Sequence, residues 1–302
     1  MEIFLYDGTT VTQLTENSYR DYQPQINDNG TVVWEGRKDG LDGEIFLYNG
    51  TRTIQLTDDD DHDRSPRINN DGYVVWVKWQ NYVPAVILLY DGVNTTALTD
   101  DCGWCDGPQI NDNGHVVWHE EAGSDLEIFL YDGISTRQLT DNDYDDGDAE
   151  INNEGHVVWQ GWMDCLDQRV FLYNGIETTQ ISGNFHVDWY PQINNNGCVV
   201  WQGSDGLDMD IFLYDGSSTR KLTHNFEWDE NPQINDNGDV VWERTGSSGR
   251  EILHYNGSIT IRLTDNSYGD SYPQINNNGY VTWEGYEGDL GSEIFLAIPN
   301  TQ

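Results

Sequence analysis

Residues 24–57 read PQINDNGTVVWEGRKDGLDGEIFLYNGTRTIQLT, and this stretch decides the fold. Three short runs within it, PQI, VVW and EIFLY, are rich in β-branched and aromatic residues, and a fourth, TRTIQLT, follows them. Asn29-Gly30 and Asn49-Gly50 separate neighbouring runs, and such Asx-Gly pairs favour the positive φ angles of tight hairpins. The stretch therefore predicts four strands joined by turns.

The same stretch recurs along the whole chain of 302 residues, with a period of 41 or 42 residues. The Trp of its VVW-type run occurs as Trp34, Trp76, Trp118, Trp159, Trp201, Trp242 and Trp283. Copies of EIFLY extend from Glu2 to the last one at Glu293, so the repeats leave no room for an independent second domain. We therefore expect residues 1–302 to form one domain of seven repeats.

The spacing of Gly and Pro argues against helices, because either residue interrupts a helix of ordinary length. The inner strands are apolar on both faces, so each sheet must lie between neighbouring sheets. Seven four-stranded antiparallel units predict an all-β, seven-bladed β-propeller. Copies of the third strand, which has the sequence EIFLY or a variant of it, number eight, and copies of the other strands number seven, so we expect the terminal strands to close the ring. Residues 11–15 would form its outer strand, and residues 2–6 or 293–297 the strand beside it.

The charge of the chain excludes two classes of partner. There are 53 Asp and Glu against 14 Lys and Arg, a net charge of -39, which repels nucleic-acid phosphates and anionic membranes. We expect a monomer with neither kind of partner. Only three Lys occur, a pattern also seen in proteins adapted to salty surroundings, so the acidity has two explanations: a ligand or salt adaptation.

The order LT, acidic loop, PQI, NDNG, VVW, EIFLYDG, QLT resembles the TolB-type, WD-repeat-like β-propeller repeat family. That family usually has Ser-Pro-Asp-Gly where this chain has Asn27 to Gly30, and an aromatic residue where it has Gln25. The resemblance implies a propeller used for protein or ligand contacts, in a periplasmic or extracellular location.

The repeats differ mainly in two loops that share one face, the loop before PQI and the loop between VVW and EIFLY. The seven eight-residue loops before PQI hold 21 acidic residues, about twice the share of the whole chain. The same two loops also hold aromatic residues that do not belong to the repeated strands. These aromatic rings could simply pack over neighbouring loops, or they could stack on sugars or cations. We hypothesise a face that binds a carbohydrate or an extracellular protein, formed by Tyr19, Tyr22, Trp79, Trp104, Tyr144, Trp162, Trp189, Tyr190, Trp228, Tyr268 and Tyr272.

Catalytic signatures are scarce, and we assign no catalytic residue. The sequence lacks G-x-S-x-G, H-E-x-x-H, P-loop and dinucleotide patterns. The alternative is a polysaccharide lyase or glycoside hydrolase with a site over the central channel, for which His62, His186 and His224 in the acidic loops are candidates. His119 follows a framework Trp, and we expect it to be structural. The uniform repeat length favours binding over catalysis.

One acidic position recurs six residues after each outer strand, with Cys105 as the exception. It is occupied by Asp21, Asp63, Asp146, Asp188, Asp229 and Asp270. These carboxylates either order their own loops or converge to bind a cation such as calcium, and we favour the structural role. We expect no other cofactor. Cys102 and Cys105 form a C-G-W-C sequence that predicts a local disulfide or two free thiols.

Overall fold

The computed structural model describes residues 1–38, 42–79, 85–100, 102–164, 167–183, 187–204, 206–247, 249–266, 269–286 and 292–299. These residues form β-strands joined by turns, and no helix occurs among them, so no described helix could span a membrane. The chain divides into two compact units, Met1–Asn153 and Glu154–Gln302.

The first unit contains fifteen strands among its described residues. Their bounds are β1 Phe4–Tyr6, β2 Val11–Gln13, β3 Arg20–Ile26, β4 Val32–Lys38, β5 Asp42–Tyr48, β6 Thr53–Gln55, β7 His62–Ile68, β8 Val74–Trp79, β9 Val86–Tyr90, β10 Thr95–Ala97, β11 Cys105–Ile110, β12 Val116–Ala122, β13 Asp125–Tyr131, β14 Thr136–Gln138 and β15 Asp145–Ile151.

The second unit contains fourteen strands in its described part. Their bounds are β16 Val157–Asp164, β17 Asp167–Tyr173, β18 Thr178–Gln180, β19 Asp188–Ile193, β20 Val199–Ser204, β21 Met209–Tyr214, β22 Thr219–Lys221, β23 Trp228–Ile234, β24 Val240–Gly246, β25 Gly249–Tyr255, β26 Thr260–Arg262, β27 Gly269–Ile275, β28 Val281–Tyr286 and β29 Ser292–Ala297.

Four-stranded antiparallel sheets are the recurring element of both units, as the sequence predicts. In the first unit the sheets are β3 to β6, β7 to β10 and β11 to β14, each in chain order; in the second unit β19 to β22 and β23 to β26 repeat the arrangement. Near the chain ends, β1 pairs with β2 in the first unit, and β29 pairs with β28 in the second. Residues 292–297 thus supply the third strand beside β28, and closure of the ring stays a prediction.

The first strand of each repeat begins earlier than predicted. The sequence predicts a strand at residues 24–26, but β3 begins at Arg20, inside the predicted loop, because its early residues pair with the extended end of β4. A β-bulge between Tyr22 and Gln25 interrupts this pairing. The bulged residue before Pro24 is Gln23, whose φ is 49°. The equivalent residues share this left-handed conformation, an unusual one outside glycine: Ser65, Gly107, Asp148, Tyr190, Asn231 and Tyr272.

Apolar residues of successive sheets form the core, as expected for strands that are apolar on both faces. In the first unit, Val33 and Ile45 of one sheet pack with Val74 and Trp76 of the next. Trp34 stacks on Phe46 of its own sheet with ring centroids 5.8 Å apart. Since the six most buried framework Trp are at most 1% exposed, each contributes roughly 2–3 kcal/mol by burial. The framework Trp therefore belong to the core and leave the other aromatics for the surface.

Candidate ligand-binding site

The repeated aspartates lie at or near the start of each first strand and bind the framework Trp of the same repeat. In five repeats the indole N–H donates to the carboxylate, at 3.1 Å for Asp21, 2.7 Å for Asp63, 2.9 Å for Asp188, 2.7 Å for Asp229 and 3.1 Å for Asp270. All five carboxylates are buried. Satisfying a buried indole N–H is a structural role, and the aspartate has it in each of these five repeats.

Burial changes the acidity of Asp63 and Asp188. Desolvation raises the pKa of Asp63 to about 7, although the indole hydrogen bond opposes the shift. Desolvation raises the pKa of Asp188 to about 7 in the same way. Arg244 donates to both oxygens of Asp229, at 2.7 and 3.2 Å. Within the described ranges, no three His, Cys, Asp or Glu side chains come together in a group that could hold a metal ion.

The third repeat, residues 105–138, departs from this arrangement. Cys105 stands where the other repeats have Asp and forms a disulfide with Cys102, which settles the two alternatives for this pair. The indole of Trp118 donates instead to Glu120 of its own strand, at 2.9 Å. Residues at the start of β11 therefore do not hydrogen-bond the indole N–H of the framework Trp in this repeat.

The predicted binding-face aromatics differ in exposure. Four are open to solvent: Trp104, Tyr190, Trp228 and Tyr272. Six are half-buried: Tyr19, Tyr22, Trp79, Tyr144, Trp162 and Trp189. Tyr268 lies outside the described residues. Packing over neighbouring groups explains some of the half-buried rings, since Tyr19 contacts Phe46 and Arg37 lies over Tyr22.

Trp104 is the exposed aromatic with the best-defined support. It lies between the two cysteines of the disulfide, and its main-chain oxygen accepts a hydrogen bond from the N–H of Glu121 at 2.8 Å. Its ring meets Trp79 edge-on, with centroids 5.1 Å apart, yet 46% of its surface stays exposed. A large exposed ring held from three sides loses little conformational entropy when it binds a ligand.

Trp79 connects this ring to a charged cluster. The guanidinium of Arg64 lies 4.9 Å from the centroid of Trp79 and donates to Asp106 at 2.8 Å. Further along β7, Arg67 donates to Gln109 at 3.2 Å, and Gln109 donates to Glu150 at 3.1 Å. Hydrogen bonds between side chains thus link β7 to β11, and β11 to β15, within the first unit.

His119, on β12, lies against Gly107 of β11. Its Nδ1 is buried and has no hydrogen-bond partner among the residues that the structure describes. A Cβ on Gly107 would lie 3.2 Å from that Nδ1, so the ring occupies the space beside a glycine. Burial lowers the pKa of His119 against the opposing effect of Asp106, Asp148 and Asp145, which favours the neutral imidazole. In two other repeats the residue at this position is Gln202 or Glu243, and these side chains accept the bulge N–H groups of Asn231 and Tyr272.

The histidines predicted in the acidic loops do not assemble a site among the described residues. His62 accepts a hydrogen bond from the N–H of Gly43 at 2.7 Å, and burial lowers its pKa. His224 lines an open cleft of the second unit with Arg244 and Arg262. His186 lies outside the described residues.

Of the two cysteines outside the disulfide, Cys165 also lies outside the described residues, and Cys198 is a free thiol.

Sequence reasoning did not identify Arg64, Asp106, His119 and Glu121 as members of one site. A signal was present, because in a repeat protein the residues required by the fold recur, whereas these occur in one copy each. At the place of His119 the other repeats have Glu35, Val77, Gln160, Gln202, Glu243 and Glu284. The departures from the repeat therefore concentrate in and beside the third repeat.

No protein-family profile and no curated protein sequence matches this chain. Solved structures do resemble it. The β-propeller domain of the Trilobed protease from Pyrococcus furiosus, described as having an open velcro topology, aligns with a TM-score of 0.65 and 11% identity, over 93% of this chain and 95% of that one. A puromycin-hydrolyzing peptidase of Mycobacterium tuberculosis aligns with a TM-score of 0.69 and 15% identity over 94% of this chain. Dipeptidyl peptidase 4 of Porphyromonas gingivalis aligns with a TM-score of 0.66 and 11% identity over 96% of this chain.

The chain spans about half the length of these two peptidases, 51% and 53%. Likeness at such low identity shows the fold alone, and it supports a β-propeller.

Proposed function

We propose that this chain is a non-catalytic binding β-propeller whose acidic, aromatic loop face takes a carbohydrate or an extracellular protein, with Trp104 as the anchor. The observation that carries the proposal is the support of Trp104 by the disulfide, by Glu121 and by Trp79 while 46% of the ring stays exposed. Rigid, exposed aromatic rings are the usual anchors of binding surfaces.

The finer architecture belongs to the same proposal. Seven repeats of one sheet each give seven blades, and the eight copies of EIFLY give the terminal strands the role of closing the ring. The protein acts as a monomer outside the cytoplasm, without nucleic-acid or membrane partners. The Cys102–Cys105 disulfide supports that location, because disulfides persist in oxidising compartments.

A binding screen tests the function. The protein, its Trp104→Ala variant and an Ile134→Ala control are applied to a glycan array and to a panel of extracellular proteins. Ile134 is a suitable control because it is 90% exposed in a turn of the same unit. We expect Trp104→Ala to weaken binding by about tenfold or more and Ile134→Ala to leave it unchanged. Equal binding by the parent and Trp104→Ala contradicts the proposal.

A second candidate function is an enzyme, a polysaccharide lyase or glycoside hydrolase with its site over the central channel. The neutral imidazole of His119 favours it, because an unpartnered Nδ1 near Asp106 and Asp148 is able to accept a proton. Incubation with uronic-acid polymers separates the two functions. Turnover by the parent that disappears in His119→Gln supports the enzyme, and stable complexes without turnover support the binding module.

A further inference from the structure

We propose that the exposed face of Trp104 and the carboxylate beside it recognise a cationic group, so that the ligand is an arginine- or lysine-containing segment of another protein. This inference rests on the proposed function and names the ligand class of the same face.

The first unit already contains one interaction of this kind. The guanidinium of Arg64 lies over Trp79 at 4.9 Å from the ring centroid, and Asp106 pairs with it at 2.8 Å. An aromatic face together with a carboxylate is the combination that holds a guanidinium partly out of water. The neighbouring ring, Trp104, meets Trp79 at an interplanar angle of 83° and presents its own surface to solvent.

Glu121 supplies the carboxylate beside Trp104. Its main-chain N–H is bonded to the oxygen of Trp104, and its side chain lies along the preceding residue, since a Cβ on Gly103 would lie 3.0 Å from Oε2. Glu121 is exposed, and within the part of the chain that the structure describes no Lys, Arg or His pairs with it. Trp104 and Glu121 thus provide the same two groups, a ring and a carboxylate, that Trp79 and Asp106 provide for Arg64.

Gly103 explains why the two groups are able to lie side by side. Its φ is 53°, a conformation that other residues rarely adopt, and the disulfide joins the residues on either side of the Gly103-Trp104 pair. Any side chain at position 103 would press against the carboxylate of Glu121. The loop therefore fixes a position for the ring that leaves room for the acid.

Electrostatics selects between ligand classes. A net charge of -39 raises the local concentration of cations and repels acidic polymers. The Trp ring has a negative face, and Trp is the strongest cation–π partner among the side chains. A neutral sugar would use the ring but gain little from the carboxylate's charge, whereas a basic side chain uses both.

Matched peptides test the inference. An acetylated, amidated Gly-Arg-Gly-Arg-Gly peptide and the same peptide with citrulline in place of arginine are titrated into the oxidised full-length protein by calorimetry, in about 0.15 M salt to screen non-specific attraction. Citrulline keeps the shape of arginine and removes its charge. The variants are Trp104→Ala, Trp104→Phe, Glu121→Gln and the Ile134→Ala control, each checked for an unchanged melting temperature.

We expect the arginine peptide to bind at least tenfold more tightly than the citrulline peptide. Trp104→Ala should weaken binding about 5- to 30-fold, Trp104→Phe less, and Glu121→Gln a few-fold. Equal affinity for both peptides, no measurable binding of the arginine peptide, or unchanged affinity in Trp104→Ala overturns the inference. A Trp104-dependent glycan ligand without peptide binding overturns it while the proposed function stands, and loss of both kinds of binding removes both.

Discussion

The side-chain amide of Asn69 donates a hydrogen bond to the main-chain oxygen of Asn111, 42 residues further along the chain, at 3.0 Å. The same bond joins Asn27 to Asn69 at 2.9 Å and Asn111 to Asn152 at 2.9 Å. Meanwhile the Oδ1 of Asn69 accepts the N–H of Tyr73 in its own turn. One buried side chain therefore closes its own hairpin and binds the next repeat, a dual role that requires both a donor and an acceptor.

Replacing Asn69 by alanine should lower the free energy of unfolding by about 2–4 kcal/mol, because it leaves the Asn111 oxygen and the Tyr73 N–H without these partners. Denaturant unfolding measures the change. Asn94→Ala is the control, since Asn94 lies in an exposed turn and its main chain makes the turn's hydrogen bonds. A loss no larger than the control's would show that the inter-repeat bond contributes little.

In each of these hairpin turns, the residue after the buried Asn is alternately an acid and an amide through the first unit: Asp28, Asn70, Asp112 and Asn153. Asn70 donates to Asp28 at 2.9 Å and to Asp112 at 3.1 Å. Asn70→Asp should destabilise the protein at pH 7 by about 1–2 kcal/mol, because it removes two donors and sets three carboxylates in a row.

Added salt and lower pH should recover part of this loss, which thermal melting across a salt series would measure. If the melting temperature of Asn70→Asp stays equal to the parent's at low salt, the alternation has no energetic basis.

The pKa of Asp188 predicts a pH dependence of stability. Its folded-state pKa is raised from 3.8 to about 7, so between these values the folded protein holds a proton that the unfolded chain releases. Stability contributed by this group is therefore present at low pH and lost as pH rises through that window. Asp188→Asn keeps an acceptor for Trp201 without the charge.

The melting temperature of Asp188→Asn relative to the parent should consequently rise between about pH 4 and pH 8. A relative melting temperature that is flat or falling over this range would contradict the raised pKa.

Calcium distinguishes the two roles of the repeated aspartates. Asp229→Asn should destabilise the protein whether or not calcium is present, because Arg244 loses the charge of its bidentate partner while Trp242 keeps an acceptor. Thermal melting with millimolar calcium and with a chelator measures this. If calcium instead raises the parent's melting temperature steeply and this rise disappears in Asp188→Asn with Asp229→Asn, the aspartates form a metal site.

A substitution at Gly43 tests the close packing of β5, the third strand of one sheet, against β7, the first strand of the next sheet. A Cβ there would lie 2.7 Å from the main-chain oxygen of Asp63 and 2.7 Å from a carboxylate oxygen of Glu35. Gly43→Ala should cost about 1–3 kcal/mol in unfolding free energy. Gly183→Ala is the matched control, since nothing lies within 4 Å of its Cβ position. Equal effects at both positions would show that the contact at Gly43 relaxes without cost.

The strands and turns were predictable because local chemistry determines them. The Asn-Gly turn after Ile26 requires a positive φ, and Gly30 has a φ of 77°. The early start of β3 was not predictable, because Arg20 and Asp21 have weak strand propensity and extend only through pairing with Arg37 and Gly36. Pairing across the sheet overrides the local preference.

The candidate site was predictable in part for a similar reason. Trp104 stands out in the sequence because no framework position explains it. Arg64 belongs to the site because β7 and β11 lie side by side, which brings its guanidinium to Asp106, a contact between side chains 42 residues apart. Glu121 lies at the far end of β12, and its position beside Gly103 follows from strand register rather than from sequence spacing.

The bond from Trp118 to Glu120 makes the third repeat the natural place for loop engineering. Elsewhere, as at Trp76 and Asp63, inserting a new loop risks moving the aspartate and stranding an indole N–H in the core. In the third repeat both partners belong to β12, so the connection from β10 to β11 supplies no hydrogen-bond acceptor for the framework Trp. Foreign binding loops grafted between Cys102 and Cys105 leave Thr99 in place as the acceptor of the Ile87 N–H, and they should therefore leave the scaffold intact.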